Sequence, residues 1–500
     1  MSPAPPRPAL PSPARRAQRE ALHRAFMAAE RLIGPSQLAW LQGAPRQWSE
    51  AEWAAMWAKA AAGQSPDAHN NVYLHVPLCK SICSFCNYER LRAESPEAIT
   101  AWRDRVLASI EAMAPAVQAL TFRSLYVGGG TPSVLPAAVL REVLGALNHR
   151  LRWSPRARRC IELDPAVIRP DKVAAMVDQG MQHFSFGVQT LNAAVNLAHN
   201  RGPQGEATVL RCLEMLPGPL EATVQLDLLL GLAGVSPAQT LADLAVLLAH
   251  PRRPSIDLFF LSPTPSYVAG HFGGDSAAAR AALSAYDAEF SKAVAELARA
   301  HGYRHATPGS QHCHSLHPIN WSPPALRALG AELRQAGALR RGLRRGLARL
   351  RRGSPLGYTQ LSAVARAPLN LLGFGPSARS QLFGHAAVQT RPAAGEAGPT
   401  TYAGAEMSLR DELRAFLVFD VRDNHAVDDG VLRRIFGMTL AEALPEALAV
   451  WVEQGFAQPK RGGWRFAALA PAAMAEALLW AVPDRALQGL IDARRAPRAG

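Results

Sequence analysis

Between residues 71 and 270 the chain alternates short β-rich runs with longer segments of helical period. Val72–Val76, Ser124–Val127, Cys160–Leu163, His183–Val188, Ala222–Asp227 and Ser255–Phe260 are strand candidates. Pro136–Arg150, Pro170–Gln179 and Ala238–Ala249 are the helices between them. Alternation of β and α at this spacing predicts a parallel α/β sheet or barrel. Six strands are too few for a full eight-stranded barrel, so the expected fold class is α/β with an incomplete (β/α)6 barrel.

The flanks read differently. Residues 1–20 are rich in Pro, Ala and Arg and are expected to be a disordered tail. Residues 21–70 form a helical extension with Trp40, Trp48, Trp53 and Trp57. After the barrel, 271–385 is an extension holding an Ala-rich helix over 275–300 and a basic helical insertion over 323–353. Residues 386–405 read as a Gly/Pro/Ala linker. In 406–475, helices at Ser408–Phe419, Asp429–Phe436 and Leu440–Gln454 precede a hairpin ending at Gly463–Phe466, the order of a winged helix. Residues 476–500 are left as a tail.

Charge changes this picture little. The formal net charge is +14, but it sits in segments: Arg7, Arg15, Arg16, Arg19 and Arg24, the Arg327–Arg352 block, and Arg494, Arg495 and Arg498. The core is nearly balanced, which speaks against whole-protein nucleic-acid binding. The basic block suits a solvated helix first, and an acidic peptide, porphyrin carboxylates or nucleic acid second. No run of about 18 apolar residues is present to span a membrane. Prolines occupy the N-terminus where a signal peptide needs a charged and then an apolar stretch. A cytoplasmic location is therefore expected.

The candidate chemistry is a C-x3-C-x2-C run, Cys79-Lys-Ser-Ile-Cys83-Ser-Phe-Cys86, directly after a strand. Cys160, Cys212 and Cys313 stand apart, so the chain is no disulfide scaffold. Three thiolates in one loop can hold three corners of an iron–sulfur cubane and leave one iron open for catalysis. Structural zinc is the alternative on spacing alone. It would want a fourth ligand at finger spacing, and the strand position of His75 directs that ring away from the loop. Downstream, Leu125-Tyr-Val-Gly-Gly-Gly-Thr131 is a strand running into a triple glycine, which lets backbone amides approach a ligand closely.

The stretch from Tyr73 through Cys86 resembles the radical S-adenosylmethionine (SAM) signature of the anaerobic coproporphyrinogen III oxidase family. Its relatives include HemW-type haem chaperones and class C radical SAM methyltransferases. The likeness runs over about 71–270, returns near Asn370–Ser380 and continues into the tail. It implies a radical SAM barrel with a C-terminal family domain, not a DNA-binding one. It implies a [4Fe–4S] cluster on Cys79, Cys83 and Cys86, with the methionine amino group of SAM at Gly129, Gly130 and Thr131. Glu162 resembles a partner of that SAM. Gln189, Arg201, Asp227 and Ser262 match positions that hold a second SAM, so two are expected. Tyr73, Phe85 and the backbone near Arg379 resemble further SAM contacts, although Arg379 replaces an apolar residue.

The implied chemistry is reductive cleavage of SAM to methionine and a 5′-deoxyadenosyl radical, with flavodoxin or ferredoxin as reductant. Methyl transfer using two SAM is the leading expectation. Porphyrinogen oxidation and haem delivery are the alternatives, with a small-molecule, peptide or porphyrin substrate. Tyr88 stands where the oxidase has a further cysteine, which counts against porphyrinogen oxidation, and the second SAM site at Gln189, Arg201 and Asp227 favours methyl transfer. In the haem-delivery reading, His312, His314 and His317 are candidate ligands, although a polar loop is the plainer assignment for them.

Overall fold

The computed structural model describes residues 9–29, 38, 45–88, 90–93, 95–218, 221–306, 313–319, 366–391 and 400–495. The basic insertion at 323–353, Arg7 and His312 lie outside the described residues. The chain divides into two compact units, one of residues 71–358 and 373–378 and the other of 1–70, 359–372 and 379–500.

The first unit carries the alternating pattern. Its strands are β1 (His69–Val76), β2 (Phe122–Gly129), β3 (Trp153–Leu163), β4 (His183–Gln189), β5 (Thr223–Leu230) and β6 (Ser255–Phe260). They lie side by side in chain order, and β2 through β6 pair parallel. After β6 come β7 (Tyr303–Ala306) and β8 (Cys313–Pro318); β8 pairs antiparallel with β6, and β7 with β8. The expected α/β partial barrel is therefore what forms.

Its strands show why. In β5, Val224, Leu226, Leu228 and Leu230 are buried, while Thr223, Gln225 and Asp227 are half-buried on the opposite face. A period of two thus separates an apolar side from a polar one. The helix Ala137–Arg150 buries Leu140, Val143, Leu144 and Leu147, an i, i+3, i+4, i+7 stripe. Each such leucine contributes roughly 1.5–3 kcal/mol by leaving water.

Three expectations for this unit need correction. β3 begins at Trp153, not Cys160, because its arginines have partners: Arg159 donates to the carbonyl of Gln179 (2.9 Å) and covers the Trp153 ring at 4.8 Å. The Ala-rich segment 275–300 is two helices, Ser276–Ser284 and Ala288–Ala300. The second starts where the Asp287 carboxylate accepts from the N–H groups of Glu289 and Phe290. Cys313–Pro318 is a strand and not a polar loop, with His314 and His317 buried.

The second unit corrects four more boundaries. Pro13–Ala29 is a helix, so order begins inside the expected tail. Arg19 donates to the carbonyls of Trp480 (3.0 Å) and Val482 (2.6 Å), and Arg15 bonds Asp484 at 2.5 Å. The extension is not wholly helical: strand Pro45–Ser49 precedes helix Glu50–Ala62, and Trp53 stacks on Tyr402 at 5.5 Å. The expected linker contributes strands Ala386–Arg391 and Thr401–Glu406, which pair with each other, because Ala386, Val388, Tyr402 and Ala405 are buried. Past residue 476 the helix Asp484–Arg495 buries Leu487 and Ile491 in the core, so this segment is no loose tail. Between them, helices Leu409–Asn424, Asp429–Phe436 and Pro445–Glu453 share a core with the sheet of Ala426–Asp428, Gly463–Phe466 and Ala457–Lys460.

Candidate active site

The cysteine loop leaves the end of β1. Leu78–Cys79 pairs parallel with Leu91–Arg92, and the N–H of Ala93 donates to the carbonyl of Cys79 at 2.8 Å. Cys79 is buried, whereas Cys83 and Cys86 are half-buried. Cys86 closes a turn by donating its N–H to the carbonyl of Cys83 at 3.2 Å.

The triple glycine at the end of β2 packs against this loop. The N–H of Gly130 donates to the carbonyl of Val76 (2.7 Å), and that of Thr131 to Leu78 (2.8 Å). The Thr131 hydroxyl lies 3.5 Å from the sulfur of Cys79. No side chain fits here. A Cβ on Gly130 would stand 2.8 Å from the Leu78 carbonyl oxygen. On Gly129, at φ +114°, it would stand 2.5 Å from the His75 ring.

Glu162 of β3 ties the glycine turn to the polar side of the sheet. It accepts from the N–H of Gly129 at 3.1 Å and from the Tyr126 hydroxyl at 2.5 Å. Tyr73 completes the group, its hydroxyl 2.7 Å from Nδ1 of His75 and its ring 6.3 Å from that of Tyr126. Desolvation raises the Glu162 carboxyl, against the lowering effect of those two hydrogen bonds.

A second group surrounds Gly187 of β4. A Cβ on Gly187 would meet Arg201 at 2.8 Å and Gln189 at 2.9 Å, and Asp227 is its partner in β5. Gln189 has φ +67° at an irregularity in the β4–β5 pairing, which re-aims its side chain. Arg201 donates to the carbonyl of Gly187 at 2.5 Å, pairs with Asp164 at 3.5 Å and reaches the sulfur of Cys83 at 3.7 Å. Asp227 accepts from Ser185 and Gln225, each at 2.9 Å; desolvation and nearby Asp257 push its carboxyl up to about 7.

Other expected residues are placed less decisively. Phe85 is half-buried against Leu232, Leu261 and Tyr267, and Ser262 is exposed beyond β6. Arg379 is exposed in a strand of the other unit. His314 bonds His305 at 3.0 Å, and three positions along β8 put His317 on the opposite face, where it meets Ser255 at 3.4 Å. The structure does not bring His314 and His317 together.

The donor set fits an iron–sulfur cluster, since thiolates are its ordinary ligands. Burial raises the Cys79 and Cys83 thiols, and the Arg201 guanidinium opposes this at Cys83. Coordination deprotonates such thiols outright. Among the described residues, no three His, Cys, Asp or Glu side chains gather as a single metal ion requires. Also among the described residues, no helix is long and apolar enough to cross a membrane.

Residues 73–237 match the model of the Radical SAM superfamily. The chain carries a radical SAM domain. A curated relative, anaerobilin synthase of Escherichia coli O157:H7, is 32% identical over 177 residues, 35% of this chain and 39% of that protein. The oxygen-independent coproporphyrinogen III oxidase of Paracoccus denitrificans is 30% identical over 183 residues, 36% of this chain and 40% of that protein. These matches thus span about two fifths of the relatives' length. The solved coproporphyrinogen III oxidase of Escherichia coli shares the fold at TM-score 0.62 and 18% identity, over 87% of this chain and 94% of that one. A radical SAM domain implies a [4Fe–4S] cluster and SAM as cofactors.

Sequence patterns did not mark Ser84, His199, His271, Tyr126 or Asp164. Tyr126 and Asp164 had a usable signal, since they lie three and two residues from the flagged Gly129 and Glu162. The histidines had none.

Proposed function

We propose that the chain is an enzyme that cleaves SAM reductively at a [4Fe–4S] cluster on Cys79, Cys83 and Cys86, and acts on a tetrapyrrole. The observation that carries the first part is contiguity. The cysteine loop, the glycine turn and Glu162 are joined through Thr131 at Cys79 and Gly129 at Glu162. The tetrapyrrole part is supported by the relatives, anaerobilin synthase and coproporphyrinogen III oxidase.

Cys79, Cys83 and Cys86 would hold the cluster, which would supply the single electron that reductive cleavage of SAM requires. The protein's own residues orient the cofactor. The glycine turn offers a surface without side chains to the methionine moiety, and Glu162, already fixed by two donors, accepts from SAM. Apolar neighbours such as Phe85 limit water at the loop. A flavodoxin or ferredoxin is the proposed reductant.

Methyl transfer with two SAM is the second reading. Gln189, Arg201 and Asp227 around Gly187 favour it, because they offer a carboxylate grip and a hydroxyl acceptor beside the first site. Tyr88, where the oxidase has a further cysteine, counts against coproporphyrinogen oxidation itself. The deciding experiment supplies anaerobically reconstituted protein with SAM, reductant and coproporphyrinogen III or haem. SAM-dependent conversion of the tetrapyrrole supports the main reading. S-adenosylhomocysteine formed alongside 5′-deoxyadenosine supports methyl transfer, and tight haem binding without SAM turnover supports delivery.

A further inference from the structure

Ser84 lies between Cys83 and Cys86 and hydrogen-bonds through both its N–H and its hydroxyl. Its N–H donates to the carbonyl of His199 at 3.0 Å. Its hydroxyl lies 2.9 Å from Nδ1 of His199 and 2.9 Å from Nε2 of His271. A further contact sets the directions. Nε2 of His199 is 2.9 Å from the carbonyl of Ala233, which can only accept, so this nitrogen carries the proton. Nδ1 of the neutral ring then accepts from the Ser84 hydroxyl, whose oxygen accepts from Nε2–H of His271. Burial lowers the His199 pKa, in keeping with a neutral ring.

The two imidazoles are themselves braced. Their centroids lie 4.2 Å apart, and Tyr267 stacks on His199 at 5.7 Å while its hydroxyl accepts from the N–H of Ala233 at 2.8 Å. His199 ends the helix Ala193–Ala198, and Asn200 follows with φ +57°, a left-handed conformation Asn tolerates. That reversal brings Arg201 to Cys83 on the same side of the loop.

The two halves of the cysteine loop are secured differently. Strand pairing, Ala93 and Thr131 fix Cys79. The Cys83–Cys86 half has one turn bond of its own, and side chains from distant parts of the chain must supply the rest. We propose that Ser84, His199 and His271 are positioning residues that clamp this half of the loop, so that Cys83 and Cys86 stand ready for the cluster. The proposal rests on the radical SAM reading. Fixing ligands beforehand lowers the ordering cost of binding.

Metal-free, full-length protein provides the test. Site-resolved alkylation by iodoacetamide is followed by peptide mass spectrometry in the wild type, Ser84→Ala, Ser84→Thr and His271→Ala, with thermal melting as the folding control. The clamp predicts about tenfold faster labelling of Cys83 and Cys86 in Ser84→Ala and His271→Ala, as expected for losing about 1.4 kcal/mol of hydrogen bonding. Cys79 should label at the wild-type rate, and Ser84→Thr should restore protection. Reconstituted Ser84→Ala should also retain less iron through gel filtration than the wild type. Equal labelling of Cys83 and Cys86 in all variants overturns the clamp. Selective acceleration in a protein that takes up no iron upholds the clamp and removes the cluster reading instead.

Discussion

Arg201 holds a guanidinium nitrogen 3.7 Å from the sulfur of Cys83, although the two residues are 118 positions apart. The same side chain is anchored by Asp164 and the carbonyl of Gly187. It therefore places a fixed positive charge beside a thiol that burial makes harder to ionise. Removing the charge while keeping the bulk, as in Arg201→Gln, should move the pH midpoint of Cys83 alkylation in the metal-free protein upward. Cluster retention should fall about tenfold, the scale of one charge-assisted hydrogen bond. Alkylation followed against pH checks the first effect, and iron content checks the second.

Gly130→Ala should be more damaging than an ordinary turn substitution. Its Cβ would meet the backbone of Pro77 and Leu78 at 2.8 Å, immediately before Cys79. Backbone cannot swing aside as a side-chain tip can, so the loop must shift. The melting temperature should drop by several degrees, for a cost of about 2 kcal/mol. SAM binding measured by calorimetry should be lost even where the protein still folds.

Glu162→Gln should separate SAM binding from cluster binding. The amide keeps one acceptor but turns the other oxygen into a donor that faces either the N–H of Gly129 or the Tyr126 hydroxyl. Iron content should stay at the wild-type level while SAM affinity falls about 10- to 100-fold, roughly 1.4–3 kcal/mol. Loss of iron in this variant would place Glu162 in support of the loop instead.

Glu412 predicts a pH dependence of stability in the other unit. It is buried, accepts from Gln381 at 2.8 and 2.9 Å, and desolvation raises its carboxyl to about 7. The folded state then keeps a proton that the unfolded state loses near 4.5. Stability from this group is fully present below the unfolded value and declines as pH rises toward 7, by up to roughly 3 kcal/mol. Melting temperatures of wild type and Glu412→Gln, compared from pH 5 to 8, should diverge in that direction as pH rises.

The parallel strands and both candidate motifs were legible because each is local: alternation of polar and apolar residues, three cysteines in one loop, three glycines after a strand. Partnerships across the chain were not. The bonds from Ser84 to His199 and His271 cross 115 and 187 positions, and no local pattern announces them. Arg15 and Arg19 read as tail charges because Asp484, their common partner, is more than four hundred residues away. The strands at 386–391 and 401–406 flank a Gly/Pro/Ala stretch, whose composition outweighed the buried Val388 and Tyr402 beside it.

Arg19→Ala should show that the first helix belongs to the folded unit. The side chain is buried, donates to the carbonyls of Trp480 and Val482, and pairs with Asp484 at 3.3 Å. Its loss strands those carbonyls, at a cost of about 2–3 kcal/mol. Chemical denaturation should register this as a lower midpoint with an unchanged slope.

The most direct test of the central claim is product analysis after anaerobic reconstitution with iron, sulfide, dithionite and SAM. The wild type is predicted to form 5′-deoxyadenosine and methionine in equal amounts, and a variant with Cys79, Cys83 and Cys86 all changed to alanine is predicted to form neither. Wild-type protein that holds a [4Fe–4S] cluster and binds SAM yet yields no 5′-deoxyadenosine would contradict the account.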